Sequence, residues 1–384
     1  MSQPTAYPFY IRLAFILIIL LILGYFAIIL ERILTPLMFS FLFSILLLPF
    51  ANFLEKRLRF PRIAAAIVAV ALFVTGLLLV LYMFGSQIAD LARNWPLLKS
   101  QLTVVFYDLQ LWIMKTFHVE AQKEVAYINN TINSLVSSGT SIVGKTVLSL
   151  SSVILFFVFI FLYTFFLLFY RRLLARFITV AFTEKYVPLI AEITTEIRQL
   201  IRGFIVGLFL EMVIVSTVAI LIFLILGIQY FILLGLIVGV FNIIPYVGIF
   251  SALIVSTAVT FATTDPRHAL YVAAGIIAIH LVDSNFLMPK IVGSHVKINP
   301  LIVVLGVVGG EMLWGIPGMF LAIPYLAIAK VIFDRVEGMQ PWGILLGEEE
   351  QTPDEIKPLQ RWMKKAPKSK EKKGSSSRES EVGK

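Results

Sequence analysis

Residues 230–262 read YFILLGLIVGVFNIIPYVGIFSALIVSTAVTFA. The stretch is apolar enough to lie in lipid, yet it is interrupted in the middle by Asn242, Pro245, Tyr246 and Gly248. Proline removes a backbone donor and glycine loosens the helix, and lipid cannot satisfy the groups thus freed. Such a break persists only where protein or a water-filled cavity surrounds it. Two apolar helical arms around a polar, Pro-Gly tip are therefore predicted here, inside a membrane protein.

The same pattern recurs downstream. Residues 301–333 carry Gly306, Gly309 and Gly310, then Glu311, then Gly315, Pro317 and Gly318, with apolar helix on both sides. Paired interrupted segments are a sequence pointer to a transporter site, because half-helix ends offer N–H and C=O groups to an ion or a polar solute. Close helix packing accounts for Gly235, Gly239 and Gly306. It gives no reason for Asn242 or Glu311.

Working outward, apolar runs fall at 11–30, 33–50, 63–84, 147–170, 203–226 and 270–287. A spanning helix needs about 20 mostly apolar residues. The chain is 59% hydrophobic and 14% charged, against about 45–50% and about 25% in soluble domains. The fold class is thus all-α: a polytopic helical membrane protein with about eight membrane helices, counting the two broken segments as either re-entrant hairpins or full spans. The expected division is membrane helices 1–3 at 1–84, an extracytoplasmic amphipathic region at 85–146, and membrane helix 4 at 147–172. A cytoplasmic helical segment at 173–202, a transport core at 203–335 and a disordered basic cytoplasmic tail at 336–384 complete the chain.

Charge orients the chain. The loop Lys56–Arg62 and the pair Arg171-Arg172 are basic, which places them in the cytoplasm. Both termini are then cytoplasmic and the location is the inner, cytoplasmic membrane. The net charge of +9 stems from such loops and from the Lys-rich tail, so nucleic acid is not an expected partner; anionic lipid is, for the tail.

Enzyme chemistry finds no foothold. There is no H-E-x-x-H, no G-x-S-x-G and no phosphate loop, and the chain has no cysteine. No cofactor and no metal site are expected. Ionisable residues inside apolar runs are functional candidates by default: Asp283, with Asn285 beside it, and Glu311 at the second break. Glu211, in the run 203–226, ranks behind them because a structural pairing with Arg202 or Arg267, or a place at a subunit contact, would explain it.

The segment Phe241–Gly248 resembles the Asn-x-x-Pro-Tyr-x-Gly signature of the autoinducer-2 exporter family of permeases. Asp283–Gly293, Val296–Pro300 and Gly310–Pro324 resemble further family stretches in the same order. The resemblance implies efflux of a small solute similar to autoinducer-2, driven by an ion gradient without ATP. It also implies a homo-oligomer, a pentamer, with elevator-like movement. A sodium/proton antiporter and an ion or solute channel are the alternatives, and a non-transporting scaffold is a third. Glu211 departs from the resemblance, at a position where an uncharged polar residue such as Gln is expected. The substrate or ion site is expected to draw on Asn242, Pro245, Tyr246, Gly248, Asp283, Asn285, Gly310, Glu311, Gly315, Pro317 and Gly318, with Glu311 as the coupling carboxylate.

Overall fold

A computed structural model of the chain describes residues 9–93, 100, 115, 153–244, 247–264, 266–291 and 297–348. Most of the expected amphipathic region, the start of the 147–170 run, Pro245, Tyr246 and the tail beyond 348 lie outside them.

The described residues are helical, with no strand. Helices α1 (Phe9–Ile29), α2 (Glu31–Lys56) and α3 (Arg62–Arg93) come first. Next are α4 (Val153–Phe169) and α5 (Arg171–Ala181), bent by 65° at Tyr170. A short 3-10 turn leads into α6 (Val187–Ile225), which runs unbroken past the expected boundary at 202. Then come α7 (Phe231–Phe241), α8 (Val247–Thr263) and α9 (Pro266–Val282), a π-helical turn at Asp283–Leu287 and α10 (Met288–Ile291). The last are α11 (Pro300–Arg335) and α12 (Gln340–Leu346). Among the described residues, five helices are long and apolar enough to cross a membrane, or six if the bent α4–α5 pair is one span. The protein is thus a multi-pass helical membrane protein.

Its packing is that of a protein solvated by lipid. Large apolar side chains point outward along α1, α3 and α4, among them Leu21, Leu72, Tyr82 and Ile154. Small and hydroxyl residues are among the buried positions: Ser40, Ser44, Ala51, Ala65, Ala66, Ala69 and Thr164. Small residues let helix backbones approach where no hydrophobic effect drives helices together. Ser40 Oγ, for example, reaches Ile160 O across the α2–α4 contact at 2.8 Å.

Two features are hairpins rather than straight rods. Within α11, Trp314 (φ −139°, ψ 18°) and Gly315 (φ 61°, ψ −142°) leave helical geometry. A side chain carrying Cβ would be strained at Gly315. The arms on either side then fold together. A Cβ on Gly310 would meet the backbone of Gly318, and one on Gly306 would meet Leu326 and Ala322. Residues 310 and 318 of one straight helix would be about 12 Å apart, and 306 and 326 about 30 Å apart, so the chain doubles back. The backbone thus breaks at 314–315, while Glu311, Pro317 and Gly318 sit within helical arms. The other hairpin is α7–α8, where a Cβ on Gly248 would meet the carbonyl of Phe241.

Two apolar cores meet along α6. The second half of α6 (Val215, Ala219, Phe223) packs with Leu233, Leu234 and Val238 of α7, Ala252 of α8 and Val272 and Ile276 of α9. The first half (Ile201, Phe204, Ile205) packs with Leu42 of α2 and Val307, Leu321 and Ile323 of α11. Ion pairs gather at helix ends, Arg171 with Glu55 at 2.6 Å and Arg335 with Glu192 at 3.2 Å. Within the tail expected from residue 336, Gln340–Leu346 forms α12, which docks back on the base of α11. Asn299 N donates to Leu346 O at 2.9 Å there.

Candidate functional site

Between the two cores, at the level of Glu211, the packing turns polar. Helix α7 runs antiparallel to α6 in close contact: a Cβ on Gly239 would strike Ser216 and Met212. That approach delivers Asn242, at the C-terminal end of α7, to the side of α6 that carries Glu211. Asp283 arrives from the third direction, at the first residue of the π-helical turn that ends α9. A π turn inserts an extra residue into the helix and reorients the residues after it, and such turns recur at functional sites.

The three side chains form one cluster. Asn242 Nδ2 donates to Glu211 Oε1 at 3.0 Å and to Asp283 Oδ2 at 2.9 Å, so both of its amide hydrogens are used. The carboxylates themselves lie within electrostatic and hydrogen-bonding reach of each other. Glu211 is 5% exposed and Asp283 4%. Glu211 Oε2 and Asp283 Oδ1 are buried and have no hydrogen-bond donor among the described residues. The ion pairs of the described residues involve neither carboxylate. Burying an ionised carboxylate is costly unless charge or donors compensate it, so this arrangement is one that folding stability alone does not favour.

Of the residues singled out from sequence, Asn242 and Asp283 are brought together here, and Gly248 is buried just beyond the same hairpin tip. Pro245 and Tyr246 lie outside the described residues. Asn285 is exposed and turns back to Leu281 O at 2.7 Å. The second hairpin takes its members elsewhere. Gly310 and Gly318 serve the contact between its arms, Gly315 makes its turn, Pro317 sits within the return arm, and Glu311 is exposed. Trp314, at the turn, donates from Nε1 to Ala27 O at 2.9 Å.

Sequence reasoning undervalues Glu211. Its hydrogen-bond partner is Asn242, and the ion pairs of the described residues do not join it to Arg202 or Arg267. The signal that could have ranked it higher is its place: a carboxylate in the interior of an apolar run, with no basic residue within two helical turns on the C-terminal side.

The described residues hold no group of three or more His, Asp or Glu side chains suited to a metal ion. An open groove lined by Leu37, Tyr163, Phe166, Leu167, Tyr170, Leu173 and Leu174 lies against α4 and α5 and shares no residue with the polar cluster. Its aromatic and aliphatic walls suit lipid tails.

Hairpins packed among long apolar helices, with a buried polar cluster at one tip, define a multi-pass helical membrane protein. The chain belongs to the AI-2E transporter family, whose model matches residues 15–338. Among its relatives, a 111-residue stretch is 34% identical to the putative transport protein YueF of Bacillus subtilis (strain 168), covering 29% of this chain and 30% of that protein. A second B. subtilis protein, putative transport protein YrrI, is 34% identical over 129 residues, 34% of this chain and 36% of that one. The AI-2 transport protein TqsA of Escherichia coli (strain K12) is 31% identical over 123 residues, 32% of this chain and 36% of that protein. The matched segments thus span about a third of the length of these relatives. A family of transporters points away from an enzyme.

Proposed function

We propose that this protein is a secondary transporter that carries a small solute across the cytoplasmic membrane, driven by an ion gradient. The observation that carries the reading is the Glu211–Asn242–Asp283 cluster, held at a hairpin tip between two apolar cores. A polar cluster in that position gives no packing benefit, whereas it gives a polar solute or ion a place to bind partway along the bundle. The relative named as an AI-2 transport protein makes an autoinducer-2-like signal, exported from the cell, the first substrate to test.

The arms of the hairpins fit re-entrant segments. At 1.5 Å per residue the 11-residue α7 is about 17 Å long, short of the roughly 30 Å hydrocarbon core. Counting each hairpin once, together with α1 and the longer helices, gives about eight membrane segments. The Arg171–Glu55 contact puts the basic ends of α2 and α4 on one face, in keeping with a cytoplasmic face and cytoplasmic termini. A homopentamer with elevator-like movement, and a basic tail resting on anionic lipid, complete the proposal.

The test is counterflow in proteoliposomes, with autoinducer-2, sodium and protons as the screened species. A carrier exchanges labelled solute against unlabelled solute. A channel only dissipates the gradient, and a scaffold does neither. Absence of flux for every species in correctly oriented, folded protein would overturn the reading.

A further inference from the structure

We infer that Glu211 and Asp283 together bind one exchangeable positive charge, a proton or an alkali cation, and that Asn242 transmits its presence to the α7–α8 hairpin. The inference rests on the transporter reading for its purpose but not for its evidence.

The argument is one of compensation. Two buried carboxylates and one part-buried neutral amide meet here from three elements. The amide supplies one N–H to each carboxylate and has none left. One oxygen on each acid is left with no donor among the described residues. A single added charge answers both deficits. A proton on one acid makes it a donor to the other, removing one negative charge and satisfying an acceptor. An alkali cation does the same by direct contact with both oxygens. With only two carboxylates, the site suits a single charge better than a divalent ion.

The surroundings offer no internal substitute among the described residues. From the π turn the group facing Glu211 is Asp283 itself, and from α7 it is the neutral Asn242. His280, one turn before Asp283, faces Ser284 at 3.3 Å. Lys290 on α10 is exposed. On the side of α2 and α11, Arg335 is paired with Glu192 and Glu196. Those partners sit 15 or more residues before Glu211 on the same helix, about 22 Å away along its axis.

Asn242 is a positioning residue in this scheme. It is the first residue past α7, so its two hydrogen bonds fix the hairpin tip to α6 and to the π turn at once. Charging or neutralising the pair changes what the amide is bonded to, and therefore where the tip rests.

The experiment uses full-length protein in lipid nanodiscs and reads thermal unfolding. Sodium chloride replaces choline chloride at fixed pH in one arm, and pH is lowered in choline chloride alone in the other. A ligand that binds only the folded state raises its melting temperature. The wild type should show a saturable rise in one arm, and which arm identifies sodium or the proton. Glu211→Gln and Asp283→Asn each remove one charge and should lose that rise. A fluorophore on a cysteine placed at the exposed Val247 should respond to the ion in the wild type and stop responding in Asn242→Leu, whose tip has lost both amide bonds. Wild type that responds in neither arm, or both carboxylate variants responding as wild type does, overturns the inference. If neither variant folds, infrared carboxylate bands of the wild type decide: no shift with either ion overturns it. Ion-dependent stabilisation without solute flux removes the transporter reading alone, and flux without an ion response removes this site alone.

Discussion

The two hairpins look alike in sequence and are built for different ends. In α7–α8, the tip brings a polar residue into the protein, where Asn242 joins Glu211 of α6 and Asp283 of the π turn. In α11, the tip is a glycine turn capped by Trp314, and the carboxylate beside it faces outward. The arms of both hairpins meet at a glycine, Gly248 against the Phe241 carbonyl and Gly310 against Gly318, but the first tip is also fastened to its neighbours by charged hydrogen bonds. A fastening that depends on charge can be released by a proton or an ion. One that depends on glycine contact cannot, and it keeps the arms together as a rigid unit. Under the proposed function, the difference gives gating to the first hairpin and support to the second.

The sharpest way to break that comparison is at Asn242. Asn242→Leu deprives two buried carboxylates of their only donor seen among the described residues, at about 1–3 kcal/mol for each unsatisfied group. Flux in proteoliposomes should fall to background while the protein still assembles in the membrane; normal flux would end the gating assignment. Next in size is Gly318→Val. The added side chain meets the backbone of Gly310, and overpacking costs about 1–3 kcal/mol, more where the obstacle is backbone. Folded yield and melting temperature should both drop, and an unchanged melting temperature would show that the arms are not in close contact.

A smaller loss is expected for Trp314→Phe. It removes the hydrogen bond to Ala27 O and keeps most of the ring, so the cost should be about 0.5–1.5 kcal/mol, read as a modest fall in thermal stability with flux retained. The smallest effect belongs to Glu311→Gln. An exposed group away from any network usually contributes within about 0.5 kcal/mol, and the ion dependence of flux should persist. Loss of that dependence would move coupling to the second hairpin and reverse the comparison.

The sequence by itself determined that this chain lives in a membrane, and where its backbone breaks. Runs such as 63–84 and 203–226 have no place in water, and lipid demands unbroken internal hydrogen bonding, so apolar runs and Pro-Gly breaks are readable one segment at a time. Asn242 and Asp283 could be picked out for the same local reason, as polar groups that an apolar segment has no cause to hold. What the tertiary structure decided was which candidates meet. The bond from Asn242 to Glu211 joins residues 31 apart and that to Asp283 residues 41 apart, and they depend on how closely α7 lies on α6 and on the packing that buries Asp283 where α9 ends. Glu311 sits in a motif as suggestive as either, yet the fold of α11 turns it outward. Periodicity marks a polar residue within an apolar helix; only packing sets whether another helix covers it.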